Sequence, residues 1–408
     1  MRVAAGDRAG PWPLRRDEPG SAGLAAALPG VLESVLTDAV RPPEPGGRAT
    51  TAGAVCVVAR RGIIAVELAR GAAQTHDGEV MLEQPRPVSS ATRFDVASVT
   101  KLIATTSATL SLVDRGDLRL SDDLGALLPE LVATAHDPRF AEITVAELLS
   151  HRGGLAAWEP TYLHAADPEG ALARVATLPL VDAPGRQRRY SDLSMMLLGA
   201  VVAAAGAAPL EEVVDRLVLR PLSLNSTGYG PIGATAAATS HGNPYEHRMI
   251  AAGTPYPVTG DPHVFGRWRH HTLVGEVNDG NAHYAFGGVA GHAGLFSTAT
   301  DLVRSGHALL LGVQGRDTPL AAATTVRGFL APGTGPVLGA WDDRLEPVLG
   351  AGSGGLGHGG FTGCELLIDP ERELVVALVS NRQHPGEPYP SIVPLWHRLL
   401  RLVLAGVR

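Results

Sequence analysis

Lysine is nearly missing from this chain. The 408 residues hold 34 Lys and Arg together, and Lys101 is the only lysine. A drift to arginine is what a GC-rich gene produces, and exposed charge tolerates it. Amine chemistry does not, because a guanidinium stays protonated at working pH. Cysteine is also scarce. Cys56 and Cys364 each lie in an apolar, strand-like run. That excludes a disulfide framework and reads as two small buried core residues. No apolar run reaches the roughly 18 to 20 residues of a membrane span. Basic side chains form no run, the net charge is −7, and no zinc-finger spacing occurs. Nucleic acid is therefore not expected as a partner. Arg15-Arg16 is followed by Asp-Glu-Pro-Gly rather than an apolar segment. No export signal of the Sec or twin-arginine kind is read there, and a cytoplasmic location is expected.

Against that background the stretch Ser98-Val99-Thr100-Lys101 stands out. Helix formers follow it, and positions three apart on a helix share a face. The Ser98 hydroxyl and the Lys101 amine can then meet. A hydroxyl needs a base to become a nucleophile, and a desolvated amine can serve. Burial disfavours the ammonium, so a lowered lysine pKa is expected. Ser-x-x-Lys recurs by chance in most proteins. With a single lysine, the chance of a serine three residues upstream falls to roughly 1 in 20.

Along the chain, Met1 to Ser21 reads as a loose arm. Leu24 to Val40 has helical spacing, and Arg41-Pro42-Pro43 stops it. Residues 54–59 and 63–68 flank Arg60-Arg61-Gly62 as a β-hairpin. Gln74 to Ser90 reads as a polar connection. The middle is mainly helical: a start at Leu120 to Asp123, then Thr144 to Leu149, Glu169 to Ala176, Ser191 to Ala204 and Leu210 to Leu219. Thr239 to Gly288 shows no firm period and reads as a substrate-facing loop region. Helices are expected at Ala299 to Leu311 and Leu320 to Leu330. Strands are expected at Val337 to Trp341, Gly363 to Ile368 and Glu373 to Ser380, and a closing helix at Ile392 to Leu404. The fold class is α+β: an antiparallel sheet built from both chain ends, flanked by helices, with an inserted helical region. Residues 22–95 with 286–408 would make the α/β part, and 96–285 the helical part with its long loop 239–286.

Two more groups invite chemistry. Tyr190 precedes Ser191-Asp192, either of which can cap the helix that follows, and its phenol can point into a cleft. Gly357-His358-Gly359-Gly360-Phe361 opens a strand, where glycines admit a close backbone and an exposed N–H can receive an oxyanion. The histidines at 241, 247, 263, 270, 271, 283 and 292 show no regular ligand spacing. They read as loop or core residues, with no metal and no cofactor implied.

Together these residues resemble the serine β-lactamase and penicillin-binding-protein superfamily, and more closely its class C-like serine hydrolases and esterases. That family carries Ser-x-x-Lys, Tyr-x-Asn, and Lys-Thr-Gly or His-x-Gly, in this order. Here they stand as Ser98–Lys101, Tyr190-Ser191-Asp192 and His358-Gly359-Gly360. Leu148 to Leu155, Gly287 to Thr298 and Ser380 to Pro385 are similar to further family segments, the last two to a branch of penicillin-binding-protein-like carboxypeptidases. The resemblance implies Ser98 as acylated nucleophile and Lys101 as base or positioning amine. Tyr190 would be the proton relay, the N–H groups of Ser98 and Phe361 the oxyanion hole, and His358 the far wall. It implies an esterase-like acyl hydrolase acting on a small ester, amide or peptide. The alternatives are a D-alanyl-D-alanine carboxypeptidase or D-amino-acid peptidase, a weak β-lactamase, a transacylase, or a sensor acylated without turnover. Two departures matter. Asp192 replaces an amide, and its charge would hold Lys101 protonated and favour the phenol as base. His358 replaces a lysine, so it would offer a hydrogen bond near neutral pH and a charge only below its pKa, unless Arg382 supplies one.

Overall fold

The computed structural model describes residues 14–44, 47–258, 260–331, 337–340 and 343–408. Its main sheet has seven strands. The first hairpin forms because Arg61 and Gly62 both take positive φ, at 52° and 78°, the pair of left-handed residues that a tight two-residue turn requires. It joins Gly53–Arg60 to Ile63–Asp77. Leu374–Ser380 pairs with Gly53–Arg60 on its other side, then come Glu365–Asp369 and the edge strand Leu356–Gly359, all antiparallel. The two chain ends thus build one sheet, as expected.

Gly53–Arg60 is buried along its whole length, so the sheet is covered on both faces. Side chains alternate across it as strand geometry demands. Ala54, Cys56, Val58, Leu367, Val376 and Leu378 pack against the helices Leu28–Ala39 and Val393–Ala405. Val55, Val57, Ala59, Leu366, Ile368, Val375 and Ala377 face the helix Ala299–Val313 and the helical region. Gly306 of that helix lies where a Cβ would come within 2.7 Å of Val375, so the helix can settle on the sheet only without a side chain there.

The helical region contains Ser107–Arg115, Pro168–Thr177 and Asp192–Gly206, the last capped by the Ser191 hydroxyl. Val145–Leu149 has a full capping box between Thr144 and Glu147. The expected helix at Leu210 to Leu219 is real but turns π-helical from Asp215. Among the described residues no single helix is long and apolar enough to cross a membrane.

Four expectations need correction. Residues 14–21 are not loose: Arg15–Arg16 pair in parallel with Ile63 and Ile64, and Pro19–Ala22 is a 3-10 turn; residues 1–13 of the expected arm lie outside the described residues. The polar connection after Gln74 is strand, continuing to Asp77 and returning as Val80–Pro87. Val337 to Ala340 form no strand, because Leu338 and Gly339 donate instead to Phe329 and Leu149; Trp341 is outside the described residues. The region 239–286 holds structure of its own: a short strand pair, Ala238–His241 with Thr272–Val274, and the helices Pro244–Ala252 and Gly280–Tyr284.

Candidate active site

Ser98 sits on a tight turn between the short strand Phe94–Asp95 and a π-helical turn, Lys101–Thr106. The turn is pinned by Asp95. One carboxylate oxygen accepts from Ala97 N at 2.8 Å and the other from Asn278 N at 2.6 Å. Burial pushes Asp95 up to about 6. Ala97 takes φ +45°, a conformation that costs a non-glycine residue energy and persists where neighbours over-determine it. The π turn adds one residue per turn, a feature frequent at functional sites.

Lys101 is 0% exposed. Its Nζ donates to Ser98 Oγ at 2.7 Å and to the His292 carbonyl at 2.9 Å, and it pairs with Asp192 Oδ1 at 2.7 Å. The Tyr190 ring lies 5.1 Å from Nζ, and its phenol hydrogen-bonds both Lys101 and Ser98. Burial pulls the Lys101 amine down, but the charge of Asp192 and the Tyr190 oxygen outweigh it, and the net result is up to about 12. The lowered lysine read from the sequence is thus overturned by Asp192, the very departure noted there. Tyr190 is raised by burial, with Lys101 offsetting part of the rise.

The edge strand brings His358, Gly359 and Gly360 to this turn. Gly360 is required: a Cβ there would lie 2.5 Å from the Val96 carbonyl, so only glycine lets the strand end approach the Ser98 turn. Thr362 Oγ1 donates to the Asp95 carbonyl at 2.7 Å and fastens the same junction. Among the described residues, neither the Ser98 nor the Phe361 N–H donates to another group of the chain. His358 Nδ1 bonds the Gly359 carbonyl at 2.9 Å, and burial pushes the ring down to about 3. The charge expected of His358 below its pKa therefore appears only in strong acid. Arg382 does not supply the missing charge at this wall; its guanidinium stacks on Phe361 at 5.0 Å and donates to the Phe361 and Pro390 carbonyls. Arg344 reaches the cleft instead, paired with Glu365.

Ser98, Tyr190, Asp192, His358, Gly359 and Phe361 line one cavity of about 380 Å³. Every site residue read from the sequence meets there or just behind it. The sequence reading missed His151, which packs 4.8 Å from the Tyr190 ring, accepts from Ser191 N at 3.2 Å, and is pushed well down by burial. It also missed the carboxylates Glu246 and Asp279 on the cavity wall. Asp279 could have been found as the cap before a short helical run; Glu246 gave no local signal. His292 is not idle: its ring bonds Asp279 at 2.9 Å while its carbonyl takes the Lys101 amine.

Comparison with known proteins follows the same lines. A family model described as Beta-lactamase matches residues 44–398. A protein of Escherichia coli (strain K12) with the provisional name D-alanyl-D-alanine carboxypeptidase is 32% identical over 344 residues, which is 79% of this chain and 77% of that protein. The N-acetylmuramyl-L-alanine amidase of Bacillus subtilis (strain 168) is 31% identical over 354 residues, 81% of this chain and 77% of its own. Among solved structures, EstCE1, a hydrolase with promiscuous acyltransferase activity, superposes with a TM-score of 0.66 at 22% identity, covering 92% of this chain and 98% of that one.

Proposed function

The chain belongs to the beta-lactamase family and is a serine hydrolase, and from that premise we propose that Ser98 is the nucleophile that becomes acylated. One observation carries the assignment: the only amine side chain in the protein is buried with its nitrogen 2.7 Å from Ser98 Oγ. Ser98 Oγ attacks the substrate carbonyl carbon, and its proton passes to the Lys101–Tyr190 pair. The oxyanion is received by the N–H groups of Ser98 and Phe361. The leaving group departs with a proton from Tyr190, and water then repeats the sequence on the acyl-enzyme. At rest both Lys101 and Tyr190 hold their protons, since both are shifted upward. The active form has lost one proton from the pair, so kcat/KM rises with pH. Tyr190, not the ammonium pinned by Asp192, is the group that takes the serine proton.

The substrate is a small ester or amide. The neutral His358 wall supports this, because the ring brings no fixed charge to a substrate carboxylate and the Arg344 guanidinium that reaches the cleft is paired with Glu365. A second reading, a carboxypeptidase of D-alanyl peptides, draws on the name of the E. coli relative. The test is intact mass and turnover with p-nitrophenyl esters, a β-lactam and a D-alanyl-D-alanine peptide. A transient adduct on the Ser98 peptide with steady release of nitrophenol supports the hydrolase. Transfer to an added alcohol marks a transacylase. An adduct that never clears marks a sensor, and an adduct that survives Ser98→Ala removes the assignment.

A further inference from the structure

The cavity is unusual in what its walls leave unsatisfied. Asp279 Oδ1 accepts from His292 Nε2 at 2.9 Å and from Ala282 N at 2.8 Å. Its Oδ2 takes no donor from the chain among the described residues, and the side chain is 21% exposed, toward the cavity that it lines. Glu246 stands beside it: its oxygens accept from Gly280 N at 2.7 Å and from the Tyr162 hydroxyl at 2.6 Å. His358 is nine-tenths buried and more, and its Nδ1 faces a carbonyl that can only accept. Nδ1 must therefore carry the hydrogen, which leaves Nε2 as a bare acceptor, and that buried Nε2 has no partner among the described residues. Much of the remaining wall is aromatic, with the Trp158 and Tyr256 rings 6.3 Å apart and Tyr245 packed 4.9 Å from Phe361, and the one guanidinium among its described residues, Arg344, is paired with Glu365. Acceptors and π faces together suit a ligand that brings N–H donors and positive charge.

Resting on the acyl-enzyme reading, we propose that the substrate carries a primary ammonium group near its scissile carbonyl, and that Asp279 and Glu246 receive it. The placement follows from His292, which links the two ends of the site. Its ring holds Asp279 and its carbonyl holds the Lys101 amine, which in turn touches Ser98 Oγ. Ser98 and both carboxylates line the same cavity of about 380 Å³, so an amine carried by an acyl group held at Ser98 can face them. Burial and the neighbouring Asp279 push Glu246 up, whereas His292 holds Asp279 down despite its own burial. Tyr162 and Arg269 are the other groups facing Glu246. A bound ammonium neutralises the repulsion between the carboxylates and lets Glu246 ionise.

The test compares two amides that differ only in charge at one position: alanine p-nitroanilide, in both enantiomers, and isobutyryl p-nitroanilide. At least one alanine enantiomer should exceed the isobutyryl compound in kcat/KM by about tenfold or more. Glu246→Gln and Asp279→Asn should bring that ratio to within about threefold. A ratio near one in the unaltered protein, or one that both variants leave in place, overturns the proposal. A purely structural role for these carboxylates would slow both amides equally and keep the ratio. Binding is read apart from turnover by calorimetry of alaninamide and isobutyramide on Ser98→Ala protein near neutral pH. Tighter binding of the amine with proton release supports the site; equal affinities overturn it. If neither anilide is cut and Ser98 takes no label, the acyl-enzyme reading falls, and the calorimetry still decides the ammonium site.

Discussion

The two faces of the main sheet are packed on opposite principles. The face covered by Leu28–Ala39 and Val393–Ala405 buries Leu32, Leu36, Trp396, Leu399 and Leu400 against Cys56, Val58 and Val376, a nearly continuous apolar contact. The other face has its own apolar core, but at its edge it also buries Asp95, Lys101, His151 and His358. Burying a charge costs free energy unless it is paired and hydrogen-bonded. Each of these groups therefore has bonds that hold it, and those bonds also aim it. The first face supplies stability and no chemistry. The second gives up part of its packing to keep an ammonium, a carboxylate and two imidazoles at fixed positions.

The contrast can be broken at several points, and the largest effect belongs to the nucleophile. Ser98→Ala should lower ester hydrolysis by at least about a thousandfold, with no covalent adduct and a melting temperature close to that of the parent. Retained activity would place the nucleophile elsewhere and dissolve the division between the faces. On the apolar face the expected loss is of the other kind. Leu399→Ala and Leu32→Ala should each cost about 2 to 5 kcal/mol of stability, read by denaturant unfolding, while kcat/KM stays near the parent value. A fall in kcat/KM under conditions where the variant is folded would show that the two faces are coupled.

Asp192→Asn sharpens the contrast further. The aspartate raises both Lys101 and Tyr190, and the reactive form is the one that has lost a proton from that pair. Removing the negative charge favours that form at lower pH. The rising limb of kcat/KM should therefore move to lower pH by about one to two units. A limb that stays in place means that neither group sets it. His358 should contribute nothing to the profile between pH 5.5 and 8, because burial holds its pKa at about 3. The preference between an anionic and a neutral ester of one acyl group should be flat across that range, and His358→Lys should raise it for the anion.

The smallest effect concerns the thiols, one on each face. Burial pushes both Cys56 and Cys364 up to about 12, so neither should react with a thiol reagent in the native protein. As denaturant rises, Cys364 should be labelled before Cys56, since the face that stores buried charge is the one expected to open first. Simultaneous labelling would mean that the sheet opens as one unit.

The sequence disclosed these features unevenly, and for physical reasons. Ser98 and Lys101 were legible because one helical turn relates them, so their meeting needs no tertiary information. The sheet order was legible in outline because Gly53–Arg60, Glu365–Asp369 and Leu374–Ser380 are continuous apolar runs. The hairpin return Val80–Pro87 was not, because it is mostly exposed and shows no alternation. Tyr190 and His358 became site residues only through resemblance to a family. Glu246 and Asp279 reach the cavity through tertiary packing, and of the two only Asp279 left a local mark, as a helix cap; His151 packs against the Tyr190 ring and does not line the cavity. For Lys101 the sequence offered two opposed cues, burial and the Asp192 charge, and the second prevails; for His358 the burial was not foreseen. Burial acts on both, but only Lys101 has a carboxylate beside it.

The scarcity of lysine has a practical consequence. A lysine-specific endoprotease finds one bond to cut in this protein, Lys101–Leu102. That bond lies in the buried π-helical turn beneath Ser98. Cleavage therefore reports on opening at the active site and nowhere else, and a single new pair of fragments gives its rate. A ligand that closes the turn slows the cut, and one that binds elsewhere leaves it unchanged. Limited digestion can thus rank candidate substrates before any of them is known to react.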